Sequence, residues 1–241
     1  MSLASLENPH MRIFLCLFEG VATGAADGWY RMKDTPASTL FHLRSGLANG
    51  VDNLHNAKST GSGIVNIIGE HANAHLKYDA PLMSDIEGIA RPVSSWVHHT
   101  DTPHSLATDA AMAIYIANFR LGHITTLILP GETSWGDTGE VSTLRLVVPS
   151  APASPSSRVE HIASILRSGE PTLFVLGGRV IRGRLLELAG RVIAHSNCRV
   201  ATQFFSARIW VRRRQGFAGT HSLCCTKDRA VLEGLPAHCD N

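Results

Sequence analysis

Glu19 is the residue of this chain whose type and position best suit chemistry. It stands at the end of a short apolar run, Ile13–Phe18, whose length and composition predict a buried strand. The residues after it predict a helix, because Val21, Ala25 and Trp29 recur on one helical face. A carboxylate at the point where a parallel strand ends and a helix begins lies at the edge where open α/β sheets usually bind ligands.

Two interpretations of this carboxylate follow from its position. The helix N-terminus favours the charged form, in which case Glu19 caps its own helix. Burial among Leu17, Phe18 and Val21 favours the neutral acid instead, and we expect burial to prevail when a ligand covers the site. Position alone leaves both interpretations open.

A second group of polar residues follows the aliphatic segment Gly63–Gly69, which is typical of a buried parallel strand. Glu70, His71 and His75 come after it, at the same predicted sheet edge. These are metal-ligand residue types, but Glu70 and His71 are adjacent and therefore point apart, which argues against a metal site. We predict instead that His71 and His75 line a substrate pocket.

The remaining elements alternate in type along the chain. Strands are predicted at Ala37–Leu43, Arg91–Val97 and Thr125–Leu129, with helices after the first of them and over Leu106–Phe119, and the pair His98-His99 is expected to be exposed to solvent. This alternation predicts an α/β fold with three layers, α/β/α, around a mostly parallel sheet. A stretch rich in Pro, Ser and Ala at residues 148–157 predicts a linker, and a partial second Rossmann-like α/β unit follows it.

Composition excludes several classes of partner. The 241 residues carry a formal net charge of +2, too small to indicate nucleic acid or an anionic membrane. No apolar run approaches the ~20 residues that span a bilayer. The five cysteines have neither disulfide nor zinc spacing and the first residues have no secretory pattern, so we expect a cytoplasmic location.

Three blocks of sequence, taken in order, resemble one enzyme family. They are residues 17–31 (LFEGVATGAADGWYR), residues 41–57 (FHLRSGLANGVDNLHNA) and residues 64–82 (IVNIIGEHANAHLKYDAPL). Together they resemble the pyrimidine-binding domain of thiamine-diphosphate-dependent enzymes of the acetolactate synthase large subunit and benzoylformate decarboxylase type. The resemblance extends from about Cys16 to about Phe205.

The resemblance implies roles for individual residues. Glu19 falls on the glutamate that hydrogen-bonds the pyrimidine ring of thiamine diphosphate, and Gly46 and Asn49 fall in the turn and helix that contact the cofactor. His42 falls on the active-site histidine of benzoylformate decarboxylases, and a histidine suits proton transfer near neutral pH. The alternative for His42 is a strand-end residue bonded to nearby backbone. Arg44 and Ser45 depart from the family's usual Gly-Pro turn.

The same resemblance predicts the organisation of the chain. Residues 1–147 would form the pyrimidine-binding domain without its usual first strand, residues 158–205 part of the family's central domain, and residues 206–241 an irregular tail. Because the family binds the diphosphate through magnesium in a C-terminal domain that this sequence lacks, we expect a chain truncated at both ends that offers half a cofactor site.

Two functions are consistent with such a chain. In the first, it binds thiamine diphosphate and a 2-oxo acid as a homo-oligomer or with a complementing chain that carries the diphosphate-binding domain. In the second, it is a non-catalytic binding or interaction protein that keeps the fold. The sequence gives no metal ligands of its own for either.

Overall fold

The computed structural model describes residues 12–140, 146–150, 152–196 and 198–203, and the backbone of residues 221–223. The chain divides into two compact units, Met1–Val148 and Pro149–Asn241, which are described separately below. Most of the predicted irregular tail, residues 206–241, lies outside the described residues, apart from the short strand at 221–223.

The first unit is built on four parallel strands with helices around them. The helices are α1 (Glu19–Lys33), α2 (Leu43–Thr60), α3 (Asn73–Leu76), α4 (Ile86–Ala90), α5 (Leu106–Ala117) and α6 (Gly131–Trp135), and the strands are β1 (Ala37–His42), β2 (Ile64–Glu70), β3 (Trp96–His99) and β4 (Ile124–Pro130). The strand order is β1-β2-β4-β3, and all three pairings are parallel. The predicted α/β fold is confirmed.

The core lies on both faces of this sheet because side chains alternate along each strand. On one face, residues of β1, β2 and β4 pack with α1, α2 and α4; fully buried members of this cluster include Leu47, Leu54, Ile64 and Ile68. On the other face, Val65 of β2 packs against α5. These two contacts make the three layers.

The strand predicted at Ile13–Phe18 does not form, and this prediction is wrong. The segment has no strand pairing, and the side chains of Phe14, Leu15 and Leu17 are 76%, 80% and 98% exposed. A strand needs a neighbour for its backbone and a packed layer for its side chains, and the described residues give this segment neither. Strand β1 is therefore an edge of the described sheet.

Strand β3 begins later than predicted. Residues 91–95 form a turn that extends the end of α4, where the N–H groups of Val93 and Ser94 donate to the Ala90 carbonyl at 3.1 and 2.9 Å. The strand then includes His98 and His99, which were expected to be solvent-exposed. Both are half-buried, so that expectation is also wrong.

Each of these histidines lies beside a carboxylate. His98 Nε2 is 3.3 Å from an oxygen of Asp109, in the first turn of α5, and the His98 ring stacks on Trp96. His99 Nδ1 is 3.6 Å from an oxygen of Asp101. The two histidines therefore link the edge strand β3 to Asp109 of α5 and to Asp101. Because they are adjacent in a strand, their side chains lie on opposite faces of the sheet.

A ladder of buried polar side chains crosses the apolar core of the first unit. Thr39 Oγ1 donates to Asn66 Oδ1 at 2.7 Å, and Asn66 Nδ2 donates to Thr126 Oγ1 at 3.3 Å. The hydroxyls of Thr126 and Ser94 lie 2.8 Å apart. Thr39, Asn66 and Thr126 are direct register partners on β1, β2 and β4, so a slip of one residue would break the ladder.

A separate polar cluster fixes α1 at its other end. Asp27 accepts hydrogen bonds from Arg31 at 2.9 Å and from the fully buried hydroxyl of Ser62 at 2.5 Å. The Tyr30 hydroxyl donates to the Leu121 carbonyl at 2.7 Å. These contacts join α1 to the segments that precede β2 and β4, so this part of the sequence has a structural role.

The second unit is a smaller parallel sheet with helices. It contains α7 (Ser156–Arg167), α8 (Gly183–Ser196), a 3₁₀ turn at Gly178–Ile181, and strands β5 (Leu173–Leu176), β6 (Arg199–Gln203) and β7 (His221–Leu223) in the order β5-β6-β7. Its described core contains Leu176, Ile181, Leu186 and Ala189. The predicted second α/β unit is thus present. Among the described residues, no helix is long and apolar enough to cross a membrane.

We predict that Asn66→Leu destabilises the first unit by about 1–3 kcal/mol, since the buried Thr39 hydroxyl loses its partner and the Thr126 hydroxyl keeps only Ser94. Urea unfolding followed by tryptophan fluorescence measures the change. Asn56→Leu is the matched control, because Asn56 is exposed on α2 and such substitutions change stability by only about 0.5 kcal/mol. Equal stability of the two variants would contradict a structural role for the ladder.

Candidate functional site

The carboxyl ends of all four parallel strands meet at one edge of the first sheet. His42 ends β1, Glu70 ends β2, and Pro130 ends β4. The register places His42 beside Gly69 and Glu70 beside Pro130. This is the edge at which parallel α/β sheets bind ligands, and it places two predicted site residues, His42 and the His71 that follows Glu70, on one side of the unit.

Glu19 occupies the first turn of α1, and its carboxylate is held by α2. Asn49 Nδ2 donates a hydrogen bond to Glu19 Oε2 at 3.1 Å. No hydrogen bond from the described residues is given to the other carboxylate oxygen, Oε1. The structure thus brings together two residues that are 30 positions apart in sequence and leaves one oxygen available to a donor.

The surroundings of Glu19 are more open than the sequence suggested. Its side chain is half-buried, while Leu17 is 98%, Phe18 54% and Val21 57% exposed. The expected apolar burial of the carboxylate is therefore absent from the described residues, because the segment before α1 does not pack as a strand. The carboxylate is hydrogen-bonded to Asn49, but no apolar side chains of the described residues cover it.

Close contact between α1, α2 and β1 depends on glycines. A Cβ added to Gly46 would lie 3.1 Å from the Phe41 Cβ, and one added to Gly50 would lie 2.9 Å from the Thr23 Cγ2. Both glycines are buried. Gly46, predicted to contact a cofactor, therefore allows α2 to approach β1; a direct cofactor contact stays a prediction.

His42 lies at the end of β1 with its side chain exposed. The next residue, Leu43, has a φ of +54° and a buried side chain, so the chain turns sharply from β1 into α2. No hydrogen bond to the His42 imidazole is made by the described residues. The imidazole therefore lies exposed at the carboxyl edge without a hydrogen bond from the described residues, and its catalytic role stays a prediction.

His71 and His75 follow β2 in the loop and the short helix α3. His71 is half-buried, and its Nε2 atom is enclosed without a hydrogen-bond partner among the described residues. His75 is exposed. No hydrogen bond or ion pair links either of them to Glu19 or His42 within the described ranges, so their predicted role in a substrate pocket stays a prediction.

Glu132 is a residue of this edge that the sequence did not single out. It lies in α6, after β4, and its carboxylate oxygens accept from the N–H groups of Asn73 at 2.9 Å and Ala74 at 3.4 Å. The pKa of Glu132 is lowered, first by the Asn73 N–H and then by its own backbone, against a smaller opposing effect of burial. The sequence feature that could have identified Glu132 is its position directly after a predicted strand, at the carboxyl edge of the sheet.

The described residues contain no group of three or more His, Cys, Asp or Glu side chains placed to hold a metal ion. The titratable residues at the edge are spread over separate strand ends instead. What the edge offers is one carboxylate held by an amide, an exposed imidazole and a histidine-bearing loop. That set can accept a hydrogen bond from a ligand and transfer protons.

Comparison with known proteins identifies this part of the chain. Residues 2–92, which include Glu19, His42 and Asn49, match the family described as thiamine pyrophosphate enzyme, N-terminal TPP binding domain. This region belongs to that family. The family binds thiamine diphosphate through this domain.

Relatives extend the match into the second unit. The protein IlvX of Mycobacterium tuberculosis, named for the acetolactate synthase large subunits, is 43% identical over 198 residues, which are 82% of this chain and 38% of IlvX. Benzoylformate decarboxylase of Pseudomonas aeruginosa is 27% identical over 190 residues, 75% of this chain and 36% of that enzyme. The predicted resemblance to these two types of enzyme is confirmed.

A solved structure shares the fold. The thiamine diphosphate-dependent 4-hydroxybenzoylformate decarboxylase of Rhodococcus jostii RHA1 matches with a TM-score of 0.70 at 20% identity, over 81% of this chain and 38% of that one. At this identity the likeness shows the fold alone. The chain spans less than two fifths of the length of each of these three proteins.

The residues present fit one end of the family's cofactor. A carboxylate oxygen without a partner at the carboxyl edge is a suitable acceptor for an N–H group of a heterocycle, and Asn49 fixes the orientation of the carboxylate. No cluster for a divalent ion accompanies it among the described residues. The fit of the described residues therefore concerns the pyrimidine end.

We predict that the loop containing His71 and His75 loosens in acid. Because the pKa of Glu132 is lowered on folding, its bonds to Asn73 and Ala74 stabilise the fold above the ordinary glutamate pKa of 4.5 and are lost as the pH falls below that value. The ¹H–¹⁵N signals of the Asn73 and Ala74 amides, followed from pH 6 to pH 3, measure this.

Glu132→Gln should remove most of this pH dependence, since an amide does not titrate. Glu87→Gln provides the control, because Glu87 is a partly exposed carboxylate on α4 in the same unit and pairs with Arg91 rather than with α3. Unchanged titration of the two amides in Glu132→Gln would show that another group controls the loop.

Proposed function

We propose that this chain supplies the pyrimidine half of a thiamine diphosphate site, and that a diphosphate-binding domain on another chain completes it for carbon–carbon lyase or ligase chemistry on 2-oxo acids. The observation that carries the proposal is the Glu19 carboxylate, held by Asn49 at the carboxyl edge of a parallel sheet inside a region of this family. When bound, the cofactor supplies the electron sink for this chemistry.

Each residue of the edge has a role in this proposal. Glu19 accepts a hydrogen bond at Oε1 and exchanges a proton there, while Asn49 holds Oε2 and so sets the direction of the carboxylate. His42 donates or accepts a proton at its exposed imidazole. His71 and His75 contact the substrate, and Glu132 positions the loop that contains them through its bonds to α3.

The openness of the site supports a second chain as partner. A carboxylate that shares a proton near neutral pH has to be shielded from water, yet the side chains around Glu19 are largely exposed. Leu17, Phe18 and Val21 would be covered by the surface that brings the diphosphate-binding residues and their magnesium ion. That surface belongs to a complementing chain that carries the diphosphate-binding domain, because a second copy in a homo-oligomer would cover the apolar side chains without supplying those residues.

A non-catalytic role is the second candidate. It is favoured by the departure of Arg44 and Ser45 from the family's Gly-Pro turn, because larger side chains at this turn hinder the approach of a cofactor. Both residues are exposed at the start of α2. In that case the fold persists as a binding or interaction module.

Reconstitution separates the two functions. The chain is mixed with a diphosphate-binding chain of the acetolactate synthase type, thiamine diphosphate and Mg²⁺, and decarboxylation of 2-oxo acids is measured. We predict activity that falls about 10²–10⁴-fold in Glu19→Gln, because an amide cannot exchange the proton. Glu87→Gln should remain active. If Glu19→Gln remained as active as Glu87→Gln, a catalytic role for Glu19 would be contradicted.

Calorimetry of the chain alone tests the need for a partner. With thiamine diphosphate and Mg²⁺ but no second chain, we expect no binding at micromolar concentrations, since the described residues offer no cluster of ligands for the magnesium of the diphosphate end. Micromolar binding would contradict the half-site proposal. Absence of binding with every partner tested would favour the non-catalytic role.

A further inference from the structure

The position of Glu19 needs an explanation, because the residues before it do not provide one. Residues 13–18 form no strand, and Phe18, which precedes α1, makes no side-chain capping bond. The phenyl group of Phe18 is more than half exposed. Whatever holds the first turn of α1 in place must come from elsewhere in the unit, and the contacts point to α2.

Helix α2 presents two asparagines to this turn, Asn49 and Asn53. They are four residues apart and therefore lie on one face of the helix, one turn from each other. Asn49 donates to the side chain of Glu19 at 3.1 Å, whereas Asn53 donates to the main-chain carbonyl of the next residue, Gly20, at 2.7 Å. One amide holds the functional group, and the other holds the backbone that bears it.

Bonds inside α1 cannot replace the contact from Asn53. The buried Thr23 hydroxyl lies 3.3 Å from the Glu19 carbonyl and 3.2 Å from the Gly20 carbonyl, but all three residues belong to the same helix. Such bonds shape the turn without fixing where it lies relative to α2. Among the described residues, Asn49 reaches only the Glu19 side chain from α2, whereas the amide of Asn53 reaches the main chain of this turn.

Glycines bring the backbones close enough for this bond. Gly50 lies between the two asparagines, and its missing side chain leaves room for Thr23 and for the Glu19 carbonyl, which would be 3.8 Å from an added Cβ. Gly24 faces the Asn53 amide, 3.4 Å from where its own Cβ would be. The helices thus meet through small residues, and a short polar side chain spans the gap.

We propose that Asn53 is a positioning residue for Glu19: through the Gly20 carbonyl it fixes the first turn of α1 on α2 and keeps the Glu19 carboxylate within reach of Asn49. The functional meaning of this rests on the proposed role of Glu19 in a thiamine diphosphate site, but the positioning itself concerns only this chain. The role requires an N–H donor at position 53, so an isosteric carboxylate cannot perform it.

The test uses the side-chain amide of Asn49 as the reporter. Its ¹H–¹⁵N signals are assigned by their disappearance in Asn49→Asp. The change in their chemical shifts in Glu19→Gln then defines how these signals respond when the bond to the Glu19 carboxylate is altered. We expect Asn53→Asp to shift the Asn49 signals in the same direction and by a comparable amount. Asn56→Asp, the same change at an exposed position of α2, should leave them in place.

Two further variants keep the test decisive if Asn53→Asp unfolds the unit. Asn53→Ala removes the donor without adding charge, and Gly50→Ala moves Thr23 and α1 away from α2 without touching either asparagine. Amide signals of β2 and β4 show whether each variant is folded. Unchanged Asn49 signals in folded Asn53→Ala would overturn the proposal.

The outcome is separable from that of the proposed function. Shifted Asn49 signals in the Asn53 variants, combined with unaltered reconstituted activity in Glu19→Gln, would uphold the positioning role and refute the cofactor role. Unshifted signals, combined with loss of activity in Glu19→Gln, would do the reverse.

Discussion

The contact between α1 and α2 sets the position of the Glu19 carboxylate, on which the proposed site depends. The carboxylate that matters lies on α1, and the groups that hold it, Asn49 and Asn53, lie on α2. A hydrogen bond at a partly exposed position contributes about 0.5–1.5 kcal/mol, too little to orient a helix alone. The orientation comes from packing, since the buried side chains of Leu47 and Leu54 on α2 anchor that helix on the sheet.

The sheet in turn needs its register. The strand ends align at one edge only if β1, β2 and β4 pair as they do, and the ladder through Asn66 makes that pairing specific within a core whose aliphatic residues would tolerate a shift. A buried polar ladder is weakly stabilising in net terms but strongly selective, because each broken member leaves an unpaired buried group. The position of His42 relative to β2 thus depends on side chains far from the edge.

Local patterns predicted the central strands well. The aliphatic segment Gly63–Gly69 became β2 (Ile64–Glu70), and Thr125–Leu129 became β4 (Ile124–Pro130), because a short apolar run with β-branched residues can be buried in a parallel sheet on both faces. The same criterion failed for Ile13–Phe18, which has the composition of a strand without a paired neighbour in the described residues. An apolar composition shows that a segment could be buried, but it does not show whether a neighbouring strand or layer is there to bury it.

Contacts between residues that are distant in sequence could not be predicted from residue spacing. Glu132 follows β4 and holds the loop after β2, and Asn53 on α2 holds the backbone of α1; in both cases the partner is more than 30 positions away. Conversely, the block around Asp27 and Tyr30 was read as part of a family signature, and in the structure those residues dock α1 on the segments before β2 and β4. A family signature thus contains both structural and functional residues, and the contacts in the structure are needed to distinguish them.

The open surroundings of the half-buried Glu19 leave the proposed site without shielding from water. Charges and hydrogen bonds near bulk water are weakened by its high dielectric constant, and the same groups interact several times more strongly once water is excluded. Here Asn49 gives the carboxylate one hydrogen bond, whereas the described residues provide no low-dielectric surroundings because Leu17, Phe18 and Val21 are exposed. A second surface laid over those three apolar side chains would gain from their burial and would strengthen the interactions of the carboxylate at the same time. Orientation and shielding are separate requirements of the proposed site, and among the described residues Asn49 contributes to the first alone.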